Sequence, residues 1–323
     1  MCKWSPFLAD LFNNLQICND YQIICTSAHF LSILTTDFTY LRNLLTPLYG
    51  EHEARAMAFI VFEDAFGVSR TDIYADKVRQ FSESERQTFL NICNRLAQGE
   101  PLQYAIGHTT FCGHQFKVTP DVLIPRPETE ELVSWAIETA QPLLTHHPLR
   151  MLDAGTGSGC IAISLQLALP QAEVEACDIS TAALRVAQHN ATHLQAPVRF
   201  SERDILNLSY ADARPRPYDV IVSNPPYICQ CEAAEMEANV LQHEPHTALF
   251  VPNTDPLRFY RALAHHAVHL LRPGGVLLVE LNRAYAEATA QLFRDWGLID
   301  VELRRDAFGN ERMCRAFLPT QSE

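Results

Sequence analysis

Met151-Leu-Asp-Ala-Gly-Thr-Gly-Ser-Gly-Cys-Ile-Ala-Ile-Ser-Leu165 reads as a short apolar strand, a turn carrying three alternate glycines, and the first turns of an apolar helix. Alternate glycines let the backbone turn tightly and come close to a ligand, and the following helix offers N–H groups that have no partner inside it. The same strand-then-helix alternation runs on through the C-terminal half. Strands are expected over 151–153, 174–177, 198–200, 220–222 and 276–279, and helices over 160–168, 180–193 and 255–271. This spacing predicts an α/β fold, a mostly parallel sheet covered by helices, with ligands held by loops at strand ends. No long motif repeats, which leaves no sign of a solenoid.

The loop is Gly-x-Gly-x-Gly, and Cys160 stands where a dinucleotide pattern wants its third glycine. It also lacks the Gly-Lys-Ser/Thr ending of a phosphate loop, so neither NAD nor ATP is the preferred ligand. Asp178 closes the second strand 23 residues after Gly155. A carboxylate there suits two ribose hydroxyls; the plainer alternative is a cap-like contact at Ser180 and Thr181. Asp204 follows the third strand and suits an adenine amino group, with Ile205 packing on the ring, or else it caps the turn before Leu206.

After the fourth strand comes Asn224-Pro225-Pro226-Tyr227. The prolines have no N–H, fix φ and push Asn224 away from the α region, so this stiff corner offers mainly carbonyl oxygens. Asn224 Oδ1 and a proline carbonyl suit the N–H groups of a planar amide or an amino-bearing ring, with Tyr227 over one face. The bland alternative is a proline turn that ends a strand.

The 323 residues are enough for two units. A formal charge of −13 with no Lys/Arg block favours a protein or small-molecule substrate over long nucleic acid, although net charge does not report a local groove. Of the ten cysteines only Cys229 and Cys231 lie close together, and one intervening residue is not a structural-zinc spacing. The rest read as small apolar fillers in a reducing compartment. The first residues lack a signal-peptide core and no run reaches 18 apolar residues, so a cytoplasmic protein without a membrane segment is expected.

Residues 1–99 read as a helical domain, irregular over the first 50. Ala56, Phe59, Ile60, Phe62 and Phe66 form a packed helix face that Gly67 stops. Ser82 caps a second helix with Glu85 reaching back, Phe89, Ile92, Cys93 and Leu96 form its buried stripe, and Gly99 ends it. No catalytic cluster stands out here, which points to packing or partner recognition. Residues 100–127 read as a hairpin linker, with the hairpin over 111–118, and the catalytic domain runs over 128–323. Arg126, held between prolines, is placed to close over a carboxylate or wall a pocket. His243, Glu244 and His246 read as loop supports, and His265, His266 and His269 as a polar helix face.

Taken together, Leu123-Ile-Pro-Arg-Pro-Glu-Thr-Glu130, the glycine loop, Asp178, Asp204, Ile221-Val-Ser-Asn-Pro-Pro-Tyr-Ile228, Glu244-Pro245, Pro273-Gly-Gly275 and Gly309-Asn-Glu-Arg312 resemble the release-factor glutamine N5-methyltransferases. These are class I S-adenosylmethionine-dependent methyltransferases. The resemblance implies a Rossmann-like, seven-stranded, mostly parallel sheet with a small N-terminal helical domain and a hairpin linker. It implies S-adenosylmethionine as methyl donor and, as substrate, the glutamine of the Gly-Gly-Gln loop in bacterial-type class I peptide-chain release factors. Gly155, Thr156, Gly157, Ser158 and Gly159 would cradle the donor, Asp178 would bind its ribose, and Asp204 and Ile205 would border its adenine. Asn224 would lie between donor and acceptor, with Asn224, Pro225, Pro226 and Tyr227 receiving glutamine and Asn224 and Pro225 acting in the transfer. No metal, stable nucleic-acid partner or membrane is expected, and the chain is expected to be a monomer. Two stretches depart from the family pattern: Glu280-Leu-Asn282 and Val251-Pro-Asn-Thr254. The competing functions are methylation of an exocyclic nucleic-acid nitrogen, or a non-catalytic protein that docks the translation machinery.

Overall fold

A computed structural model describes residues 34–75, 81–145, 148–207 and 217–320. The chain divides into two compact units, residues 1–99 and 100–323. Cys2, Cys18 and Cys25 lie outside the described residues, as does most of the stretch read as irregular.

In the first unit, helix α1 (Leu34–Ile60) contains Pro47 and breaks at Gly50, whose φ of 78° no helix allows, then runs into a π-helical turn, Val61–Ala65. Residues 34–49 are therefore helical; Pro47 and Gly50 hid this from the pattern. Helix α2 (Glu83–Ala97) starts on the expected reciprocal cap: the Ser82 N–H donates to Glu85 Oε2 at 2.8 Å, and the Glu85 N–H donates to Ser82 Oγ at 3.2 Å. Phe89, Ile92, Cys93 and Leu96 are buried, and Phe89 meets Phe62, Phe66 and Phe81 in an aromatic cluster.

In the second unit a short helical turn, Leu102–Ile106, precedes a hairpin, β1 (His108–Phe111) and β2 (His114–Lys117), three residues earlier than expected at its start. Cys112 and Gly113 both have positive φ, which suits a two-residue turn between twisted strands. The buried Asn190 ties the hairpin to the glycine loop, accepting from the Lys117 N–H and donating to the Lys117 and Ser158 carbonyls.

Then follow α3 (Pro127–Ala140), β3 (Arg150–Ala154), α4 (Cys160–Ala168), β4 (Glu173–Asp178), α5 (Thr181–His193), β5 (Arg199–Glu202), β6 (Tyr218–Ser223), a short pair β7 (Ile228–Cys229) and β8 (Phe250–Val251), α6 (Arg258–Leu270), β9 (Leu271–Glu280), α7 (Ala286–Asp295), β10 (Ile299–Arg305) and β11 (Glu311–Phe317). The seven-stranded sheet has the order β10-β11-β9-β6-β3-β4-β5. The strands from β9 to β5 are parallel, and β11 runs antiparallel to both its neighbours. Successive residues alternate between the faces: Met151, Val220 and Leu278 pack with α3 and α4, while Leu152, Ile221 and Leu277 pack with α6 and α7.

This α/β sheet is the expected one, and its topology sets the site. From β3 the order runs outward through β4 and β5 on one side and through β6 and β9 on the other. Such a reversal opens a crevice at the carboxyl ends of the strands. The residues after β3, β4, β5 and β6 are the glycine loop, Asp178 at its strand end, Asp204 and Asn224. No helix among the described residues is long and apolar enough to cross a membrane.

Candidate active site

The glycine loop is held from beneath. Asp153 Oδ2 accepts from the Thr156 hydroxyl at 2.6 Å and the Ala162 N–H at 3.2 Å, and the Gly155 and Thr156 N–H groups both donate to the Cys177 carbonyl. Burial pushes the Asp153 carboxyl up to about 7. Gly155 has φ +82°, and a Cβ there would stand 3.1 Å from Ile205 Cδ1. Gly159 has φ +84°, and a Cβ there would meet Ile163 Cδ1 at 2.9 Å and Ala187 Cβ at 3.1 Å. The loop thus closes on itself, and its residues 155–158 face a cavity.

A cavity of about 360 Å³ opens above it, lined by Gly155, Thr156, Gly157, Ser158, Asp178, Asp204, Ile205, Asn224 and Pro226 among others. Gly159 does not line it; its place is the start of α4, where it lets that helix approach α5. Asp178 accepts from the Gly157 N–H at 2.8 Å on one oxygen and from the Ser180 N–H at 2.9 Å on the other. Each oxygen keeps a second lone pair. Asp204 makes the capping contact, accepting from the Leu206 N–H and the Asn207 amide, and also faces the cavity.

Asn224 borders this cavity and a second one of about 330 Å³, which is lined by Tyr227, Met236, Val240, Leu249 and Glu280 with others. Pro226 lines the first, Tyr227 the second, and Pro225 is buried and lines neither. The corner is thus a partition with Asn224 at its edge. Asn224 Nδ2 donates to Thr129 Oγ1 at 3.1 Å, and the Thr129 hydroxyl donates to Glu280 Oε2 at 2.7 Å. The Tyr227 hydroxyl donates to Glu280 Oε1 at 3.1 Å, and burial together with that carboxylate pushes its pKa far up, so it stays a donor. Burial also raises Glu280 above the usual carboxylate value, while the two hydroxyls and the Arg312 charge pull it down.

Arg126 closes over a carboxylate of the chain itself, Glu244, which is buried and also accepts from the Ile124 N–H at 3.2 Å. This pair fastens the 122–127 loop to the segment between β7 and β8, whose Met236, Val240 and Leu249 line the second cavity. Asn282, in the departing stretch, donates to the Tyr227 carbonyl at 3.3 Å and to Glu232, bracing the same corner. His266 corrects the reading of a polar helix face: it is buried, and its Nε2–H donates to the Ile205 carbonyl at 2.6 Å under the loop that follows β5. Burial lowers its pKa, which suits that neutral role. Cys160 and Cys177 are buried thiols pushed up to about 12, inert fillers as read. Among the described residues no group of His, Cys, Asp or Glu could hold a metal ion.

Sequence reasoning did not find Thr129, Glu280 or His266 as parts of this site. Thr129 and Glu280 stood inside quoted motifs, but their pairing spans 151 residues.

Residues 139–249 match the family described as the methyltransferase small domain, and residues 40–107 match the PrmC N-terminal domain. The chain is 44% identical over 277 residues to the release factor glutamine methyltransferase of Bacteroides thetaiotaomicron, covering 86% of this chain and 97% of that one. It is 37% identical over 271 residues to the protein of the same name from Flavobacterium psychrophilum, covering 84% and 94%. A solved methyltransferase from Pyrococcus furiosus aligns with a TM-score of 0.47 and 16% identity over 74% of this chain and all of that one.

Proposed function

Because this chain belongs to the release factor glutamine methyltransferase family, we propose that it methylates the side-chain amide nitrogen (N5) of the Gly-Gly-Gln glutamine in bacterial-type class I peptide-chain release factors, with S-adenosylmethionine as donor. The first cavity fits that donor. It has a glycine backbone at its floor where a Cβ at Gly155 would crowd Ile205, and two carboxylates, Asp178 and Asp204, face it. Asp178 would take the ribose hydroxyls, Asp204 the adenine amino group, and Ile205 the ring face. When bound, the donor supplies an electrophilic sulfonium methyl. The second cavity would receive the glutamine, with Tyr227 as its wall. Residues 1–99 would serve recognition of the release factor.

The observation that carries this reading is the tethered Asn224, which borders both cavities and gives its NH₂ to Thr129. No described residue donates to its Oδ1. A glutamine amide nitrogen is a weak nucleophile because its lone pair is shared with its carbonyl. Asn224 Oδ1 and the Pro225 carbonyl would accept its two hydrogens, aim the nitrogen across the partition and stabilise the positive charge that grows on it. The proton becomes far more acidic as methylation proceeds, so no base is required at that step. The test is incubation with labelled S-adenosylmethionine, a full-length release factor and unrelated RNA together. Label in the release factor supports the reading, and label in the RNA contradicts it.

A further inference from the structure

The Glu280 carboxylate, buried at the end of β9, takes one hydroxyl on each oxygen, Thr129 on Oε2 and Tyr227 on Oε1. An ionised carboxylate only accepts, and a hydroxyl owns a single proton. The Thr129 proton is therefore committed to Glu280. What Thr129 turns toward Asn224, 3.1 Å away, is a lone pair alone. Only the NH₂ end of the Asn224 amide can meet a lone pair, which leaves the carbonyl end for the other side. The two ends of an amide are close in size, so shape alone would hardly choose between them.

We propose that Thr129 and Glu280 are positioning residues that fix the direction of the Asn224 amide, so that its oxygen rather than its NH₂ meets the acceptor nitrogen. This rests on Asn224 Oδ1 being the group that grips glutamine. With the amide reversed, donors would face the donors of the glutamine NH₂ and the grip would be lost. The same carboxylate holds the Tyr227 hydroxyl, so one buried acid sets both polar side chains of the corner. Burial raises the Glu280 carboxyl above its ordinary value, and the two hydroxyl donors and the nearby Arg312 charge pull it back toward the ionised, accept-only form.

The experiment is steady-state methyl transfer to a full-length release factor by the whole chain and its variants. Thr129→Val keeps the shape and removes the hydroxyl. It is expected to lower kcat on the order of tenfold, the weight of one neutral hydrogen bond, with KM for the release factor and Kd for S-adenosylmethionine within about twofold. Thr129→Ser, which restores the proton and the lone pair, is expected to regain most of that loss. Glu280→Gln puts an NH₂ against one of the two hydroxyls, so that they can no longer both donate, and is expected to lower kcat with the same unchanged Kd. Wild-type kcat in Thr129→Val overturns the proposal. So does a loss that Thr129→Ser leaves in place, or one shared equally by S-adenosylmethionine binding. If Asn224→Ala loses turnover while Thr129→Val does not, amide direction alone falls; if Asn224→Ala keeps turnover, the grip by Asn224 falls and the proposal with it.

Discussion

At the scale of single residues, Asn224 and Asp153 make separable predictions. Asn224→Ala is expected to lower kcat by on the order of 10²-fold, as for loss of one group aimed at a developing charge, and to affect the Kd for S-adenosylmethionine far less. Isothermal titration beside a methyl-transfer assay separates the two, and unchanged turnover would remove Asn224 from the chemistry. Asp153 has a folded value of about 7, above its ordinary 3.8. Between those values the folded chain holds a proton that the unfolded chain has released. The contribution to stability is thus full below pH ~4 and lost as pH rises through about 7, at most on the order of 4 kcal/mol. Urea unfolding at pH 5 and pH 8 is expected to show a smaller stability difference in Asp153→Asn than in the parent; equal differences would contradict it. Gly155, Asp178 and Asn224 could be read because each obeys a rule that operates within a few residues of strand end. Thr129 and His266 could not, since their meaning comes from partners 95 and 61 positions away.

At the scale of elements, the capping box at Ser82 is the clearest local signal and bears a plain test. Ser82→Ala leaves the Glu85 N–H without its side-chain partner and is expected to cost about 1 kcal/mol, read as a fall in the urea midpoint with an unchanged slope. A midpoint equal to the parent would show that the cap adds nothing to the first unit. Helix α5 was legible to within a residue because an apolar stripe and the Ser180 cap coincide there, and α4 because its apolar run starts directly after the glycine loop. Strands β10 and β11 were not read. In β10 no residue is buried, so Ile299-Asp-Val-Glu-Leu-Arg-Arg305 lacks the apolar run that marks the inner strands. The start of β9 was masked by Pro273-Gly274-Gly275, which looks like a turn and here sits inside the strand. The hairpin was found but displaced, since His108-Thr-Thr carries only weak alternation.

At the scale of the whole molecule, the division into units and the α/β class followed from a change of grammar near residue 100, from helical stripes to strand–helix alternation. The acceptor did not. An Asn-Pro-Pro-Tyr corner between two cavities suits any nitrogen that carries hydrogens in a plane, and it is family membership that narrows this to a glutamine. The acidic balance of the chain is consistent with a protein substrate, yet net charge carries no address. The central claim is therefore about one atom of another protein. Mass mapping of peptides from a release factor treated with this enzyme and S-adenosylmethionine addresses it directly. The account predicts one added methyl group on the glutamine of Gly-Gly-Gln, and on that peptide a far smaller methylated fraction after the same time with Asn224→Ala. A methyl group on any other residue, or none at all, would contradict it.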